Sequence, residues 1–284
     1  DLSASATETV AAGGAGATLK TAAAKWFVGT DGAGAASGAV VGEVLVYDRA
    51  VSDNERSDIV SYLRTAWKLP RLKPDVAWYD ASNKASVQRD AKGAVAAWKD
   101  LSVNGADLVV GKSTKPSWDA KAAPNNRAAV RFEGSSVALQ TAAWSVPKAL
   151  SVFAVFEVHK PQSNGLVMGQ GSHWALAREG STAKLRWSVA GKNGPSATYK
   201  SGQWAVWTVA QDGSTSAMTV GDAASTTVTT ASLAAGKAAL WLGNKSGGGA
   251  SMGGYIAEIR VFGKALHPLD RAFVTHQLKT RFGL

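Results

Sequence analysis

Two stretches of this chain, 215 positions apart, follow one pattern, and that repetition constrains the fold more than any other feature. Gly42–Leu69 laid on Ala257–Leu284 aligns 28 positions without a gap, 7 of them identical and 8 conservatively matched. Each copy predicts a strand, a turn and a terminal helix. Glu43-Val-Leu-Val-Tyr47 and Glu258-Ile-Arg-Val-Phe262 are the β-branched and aromatic runs that strands favour. Ser52-Asp-Asn-Glu55 is a capping box in the first copy; Pro268, followed by Asp270, marks the helix start in the second. Apolar positions then recur at helical spacing, cleanly at Ile59, Tyr62, Leu63 and Ala66, less so at Val274, Gln277, Leu278 and Arg281. Such a helix closes a β-domain.

Between the copies, Leu69-Pro-Arg-Leu-Lys-Pro74 stops the first helix and holds the chain extended. A boundary there gives residues 1–70 as the C-terminal portion of a first domain, its earlier part missing, and 71–284 as a complete second domain. From Asp75 the chain reads as many short strands separated by Gly, Asn and Ser turns, the rhythm of an antiparallel sandwich or jelly roll. Ser151-Val-Phe-Ala-Val-Phe-Glu-Val158 is apolar on both faces, which predicts a central strand. Gly191-Lys-Asn-Gly-Pro195 reads as a loop.

At the second copy, Gly254-Tyr-Ile-Ala-Glu-Ile-Arg-Val-Phe-Gly-Lys-Ala-Leu-His-Pro-Leu-Asp-Arg271 resembles the C-terminal signature of bacterial concanavalin A-like, laminin-G-like jelly-roll domains. Trp78-Tyr-Asp-Ala-Ser82, Trp98-Lys-Asp-Leu-Ser102 and Val130-Arg-Phe-Glu-Gly134 resemble that family's opening elements, in order. The resemblance covers Pro74 to Leu284, and the first seventy residues in part. It implies an all-β, concanavalin A-like jelly-roll sandwich with a short C-terminal helix, preceded by part of a similar domain. One such fold hosts lectins, glycosidases and plain structural modules, so the ligand must be argued from the site.

Catalysis finds little support in the residues. Glycoside hydrolysis needs two carboxylates facing one bond, and relatives of this fold that cut glycans often carry Glu-x-Asp-x-x-Glu on one strand, a run absent here. Glu157 and Glu258 have no acidic partner two residues on, which predicts solvated or hydrogen-bonded strand residues. There is no Gly-x-Ser-x-Gly elbow and no phosphate-binding loop. His159, His173, His267 and His276 lack the spacing of a zinc site, and zero cysteine excludes thiolate ligands and disulfides. Asp80, Asp100, Asn104 and Asp107 are the oxygen-bearing cluster that calcium would use, or that turns would use to bind backbone amides.

Carbohydrate binding draws instead on aromatics and loop amides. Of the 11 tryptophans, Trp78, Trp98, Trp204, Trp207 and Trp241 fall within predicted strands and are assigned to packing. Trp174 with His173, Trp118, and the loop residues Asn164 and Asn193 are the candidate sugar contacts. Charge is uneven: residues 1–70 carry 6 Lys/Arg against 8 Asp/Glu, a net of −2, whereas 71–284 carry 25 against 13, a net of +12. A basic second domain suggests an anionic partner such as an acidic polysaccharide. The basic residues form no run of five, which argues against nucleic acid. No apolar run approaches the roughly 18 to 20 residues that cross a bilayer.

The leading expectation is therefore a non-catalytic, lectin-like or adhesion module outside the cell, on a cell surface or on a virion. Its competitor is an assembly module that contacts other copies in a filament, sheath, capsid or tail, with no small ligand; a glycan-active enzyme comes third.

Overall fold

The computed structural model describes residues 43–67, 72–111, 114–133, 136–159, 163–221, 223–244 and 251–284. The chain divides into two units, Asp1–Ala50 and Val51–Leu284. Only residues 43–50 of the first lie within the described portion. The expected strand Glu43–Tyr47 has no ladder there among the described residues, and Val44, Leu45, Val46 and Tyr47 are 40–59% exposed. A strand needs a partner for its backbone groups, however favourable its side chains.

The second unit opens with helix α1 (Asp53–Ala66) and then alternates strands and turns. In chain order these are β1 (Ala77–Asp80), β2 (Val87–Arg89), β3 (Val95–Trp98), β4 (Leu108–Val109), β5 (Ser117–Ala123), β6 (Arg127–Phe132), β7 (Leu139–Gln140), β8 (Trp144–Ser145) and β9 (Leu150–Val158). They continue with β10 (Leu166–Gln170), β11 (Trp174–Arg178), β12 (Lys184–Val189), β13 (Lys192–Thr198), β14 (Ala205–Asp212) and β15 (Thr215–Val220). The last are β16 (Thr226–Thr229), β17 (Lys237–Ala238), β18 (Leu240–Leu242) and β19 (Gly254–Phe262), before helix α2 (Pro268–Phe282). One sheet runs β16-β15-β14-β9-β19-β6-β5, with β1 on the second half of β19; the other runs β13-β12-β11-β10-β18-β7-β4-β3-β2. All these strand pairs are antiparallel, as the jelly-roll expectation required.

The inner faces of both sheets supply the main core. Trp98, Trp174 and Trp187 lie fully inside it, and Phe156 stacks on Trp207 at 5.3 Å. A second core forms on the far side of the first sheet, where Val274, Leu278 and Phe282 of α2 pack on Phe153, Val155 and Ala257. This explains why all nine residues of β9 are buried: the strand has the second sheet on one side and the helix on the other. Each such large apolar side chain stabilises the fold by about 1.5–3 kcal/mol through burial. A bulge in β19 between Ile256 and Glu258 lets Ile256 and Ile259 both face the main core while Ala257 joins the helix side.

Both helices start as their sequences predict. Ser52 Oγ accepts from the Glu55 amide at 3.3 Å while the Glu55 carboxylate accepts from the Ser52 amide at 2.8 Å. Pro268 opens α2, and Gly283, at φ 66°, ends it in the left-handed conformation that glycine tolerates. Arg64 of α1 pairs with Asp270 of α2 at 2.5 Å.

The segment around Asn193 differs from its sequence reading. Lys192–Thr198 is a strand, and the turn before it is only Ala190-Gly191, both at positive φ. Pro195 is compatible with this because β13 is the edge of its sheet, where a missing amide donor costs no ladder bond.

Candidate functional site on the open sheet face

Helix α2 covers the outer face of the first sheet, and the outer face of the second carries no helix among the described residues. Strand alternation decides what that open face displays. In β18, Leu240 and Leu242 are fully buried in the core, so Trp241 between them points outward. It is half-buried and packs in neither core. Its cross-strand partners are Gly169 on β10 and Gln140 on β7.

The register extends this position into a row. From Trp241 it runs through Gly169, Ala175 and Ser188 to Asn193 on one side, and through Gln140, Val109 and Ala97 to Gln88 on the other. At about 4.8 Å per strand step, Trp241 and Asn193 stand about 19 Å apart. No residue of the row carries a charge, although the chain has a net charge of +10. Gly169 leaves the indole without a large neighbour on that side. A Cβ on Gly111 would lie 2.5 Å from Gln140 Nε2, so the Gln140 amide leans toward the β4 end and away from Trp241. An aromatic ring among small and amide-bearing residues, free of charge, is a surface on which a sugar ring can stack and find hydrogen-bond partners.

Of the residues singled out in the sequence, Asn193 alone joins this face: it is exposed on β13, opposite Ser188. Trp174 is in the core, 1% exposed, stacked on Trp187 at 5.0 Å and donating from Nε1 to Gln170 Oε1 at 3.0 Å. Its neighbour His173 lies in the β10–β11 turn, close against Gly236. Trp118 donates from Nε1 to the Ala81 carbonyl at 3.0 Å, and the Arg89 guanidinium sits 4.1 Å from its ring centre. Asn164 occupies a left-handed turn and accepts from the Gly180 amide at 3.1 Å. The strand setting of Trp241 predicts packing; the leucines on either side are the signal that turns it outward.

The acidic residues have other partners. Asp100 accepts from the Trp78 and Ser102 amides on one oxygen and from Ser102 Oγ and the Ala106 amide on the other, at 2.8–2.9 Å. Asp107 accepts from the Asp100 amide at 2.9 Å, and Asn104 Nδ2 donates to the Val76 carbonyl at 3.0 Å. Burial, with Asp100 and Asp107 nearby, holds the Tyr79 hydroxyl well above its usual pKa. Asp80 pairs with Arg281 at 2.5 Å, and Glu258, fully buried, contacts Arg260 at 2.7 Å, Arg281 at 3.1 Å and Trp78 Nε1 at 3.0 Å. These bonds fasten the last turn of α2 to β1 and β19.

At the rim of the first sheet, His159 bridges Glu157 at 3.0 Å and Glu133 at 2.6 Å. Hydrogen bonds from Arg131 and then His159 hold the Glu133 carboxyl below the usual range. Glu157 and Glu258 are thus hydrogen-bonded strand residues, one of the two states their sequence context predicted. Among the described residues, no three His, Cys, Asp or Glu side chains are grouped to hold a metal ion.

Comparison with known proteins agrees with the architecture. The model of the concanavalin A-like lectin/glucanases superfamily matches residues 133–270, a stretch that includes β7, β9–β18 and β19. A solved mutant of Trypanosoma rangeli sialidase displaying trans-sialidase activity is similar at a TM-score of 0.50 and 10% identity, over 73% of this chain and 33% of its own. The botulinum neurotoxin type G receptor binding domain is similar at a TM-score of 0.49 and 10% identity, over 73% of this chain and 52% of its own. This chain therefore spans about a third of the one and half of the other, and the likeness is one of fold. No curated protein matches the sequence. The fold is a concanavalin A-like sandwich, and residues 133–270 are similar in sequence to the concanavalin A-like lectin/glucanases superfamily.

Proposed function

We propose that this chain is a non-catalytic glycan-binding module of a larger surface-displayed or secreted protein, and that its ligand lies across the open face of the nine-stranded sheet. One observation carries the reading: Trp241 projects from that face between Gly169 and Gln140, in a row of residues without charge. An indole offers a flat apolar surface to the C–H face of a sugar, and Gln140, Ser188 and Asn193 offer hydrogen-bonding groups along the same line. The row contains no carboxylate, which favours binding without turnover. The family description, lectin or glucanase, accords with a sugar ligand.

The test is a glycan array probed with the wild-type chain and with Trp241→Ala. Binding that disappears in the variant while the fold is kept supports the proposal; binding retained at full strength, or absent from a broad array, rejects it.

A second reading, assembly with other copies, has one observation of its own. Val44, Leu45, Val46 and Tyr47 are exposed in a sequence of high strand propensity, the profile of a segment that pairs with another edge. Sedimentation of the chain and of Val46→Lys would separate the readings: ordered oligomers that the lysine dissolves favour assembly, and a monomer in both cases excludes it.

A further inference from the structure

The covered side of the sandwich holds a groove of different chemistry. It runs between α2 and the β14–β15 pair, has a volume of about 510 Å³, and is lined by four basic side chains: Arg56, Arg271, His276 and Lys279. Hydroxyls face them. Thr208 and Thr219 are paired across β14 and β15, Thr208 Oγ1 lies 3.0 Å from Thr275 Oγ1, and Ser225 closes the rim. No Asp or Glu is among the described lining residues. His276 Nε2 lies 3.7 Å from Asp58 Oδ1.

Arg271 decides what the groove can hold. Its guanidinium is half-buried, yet among the described residues it makes no ion pair; Nη1 donates to the Leu266 carbonyl at 2.7 Å, one of the five donors a guanidinium carries. Burial lowers its pKa, the mark of a cation desolvated without a compensating anion. A partly buried positive charge with unused donors is stabilised by an incoming anion that accepts from it in bidentate fashion.

The shape favours a polymer over a free ion. Past Gly221 and Ala223 the groove meets a second cleft of about 420 Å³, which shares Lys279 and adds Lys200 and the half-buried Trp204. Cations, hydroxyls and an aromatic ring along one path suit a chain of sugars bearing negative groups. We infer that the groove between α2 and β14–β15 is a second glycan site, specific for acidic polysaccharide, with Arg271 receiving a sulfate or carboxylate substituent. It is separate from the uncharged row through Trp241 and does not depend on it.

Titration with heparin, as a sulfated probe, and with dextran, as an uncharged one, tests this at low ionic strength. The variants are Arg271→Gln, Thr219→Glu, which sets a carboxylate in the groove without replacing the half-buried arginine, and Lys184→Gln, which removes one charge from the other sheet. Heparin is expected to bind and dextran to bind at least about tenfold more weakly; each groove variant should lose about tenfold for heparin, and Lys184→Gln almost nothing. Should Arg271→Gln fail to fold, Thr219→Glu still decides. Equal losses in all three variants, no loss in Thr219→Glu, duplex DNA binding as tightly as heparin, or inorganic sulfate matching heparin would each overturn the assignment.

Discussion

The two sheets share one core but end differently on their outer sides. The outer face of the first lies under α2, and its central strand β9 is buried at every position. The second faces out, and its strand β12, Lys184-Leu-Arg-Trp-Ser-Val189, is buried at every other one. The same physics, alternation across a pleated strand, gives two sequence signatures because the neighbours differ. The covered side spends its chemistry on attachment and on the groove beside the helix. The open side is left to display residues that packing does not require, and Trp241 is the largest of these.

The largest expected effect breaks the covered side. Glu258→Ala removes the buried carboxylate that Arg260, Arg281 and Trp78 Nε1 share. Arg260 then loses its carboxylate beneath the helix while Arg281 keeps only Asp80, and the variant should lose about 3–5 kcal/mol in denaturant unfolding. A loss below about 1 kcal/mol would show that α2 is held by its apolar face alone.

Two tryptophans of the second sheet give the next contrast. Trp187→Ala empties a fully buried site stacked on Trp174 and should cost about 3–5 kcal/mol. Trp241→Ala, on the other face of the same sheet, should change stability by no more than about 0.5 kcal/mol. Similar losses in both would mean that Trp241 is a packing residue, and the proposed glycan face would lose its centre.

Much of this architecture is legible in the sequence because it rests on local signals. Ser52 and Glu55 cap α1, Pro268 and Gly283 bound α2, and the apolar run at 152–156 marks a strand covered on both faces. The site is harder to read. Trp174, after a glycine turn and beside a histidine, resembles an exposed loop aromatic, and only the ladder Gln170↔Trp174↔Val189 places it inside. Trp241 looked like packing because strands bury tryptophan; the flanking Leu240 and Leu242 carry the contrary signal, decisive once one face is known to be core. The groove beside α2 joins side chains from distant parts of the chain, and no local pattern encodes that meeting. Strand composition alone is a further limit: Glu43–Tyr47 has the composition of β19's second half but no ladder among the described residues.

The smallest effect lies at the rim of the covered sheet, where Glu133 accepts from Arg131 and contacts His159 at 2.6 Å. The folded state holds this carboxyl below its usual pKa, so its contribution is present above the unfolded value, about 4.3. It is lost as pH falls through the lower, folded value. Wild type should therefore exceed Glu133→Gln in stability near pH 6, and the gap should close on acidification from about pH 5 toward pH 3. Because the Glu133 side chain is 35% exposed, water screens the pair, and the gap should stay within about 1 kcal/mol and shrink further in molar salt. Urea midpoints for both proteins across that range are the measurement. Parallel curves would show that the rim pairs add nothing, and that the covered side is anchored only where Glu258 and the face of α2 meet it.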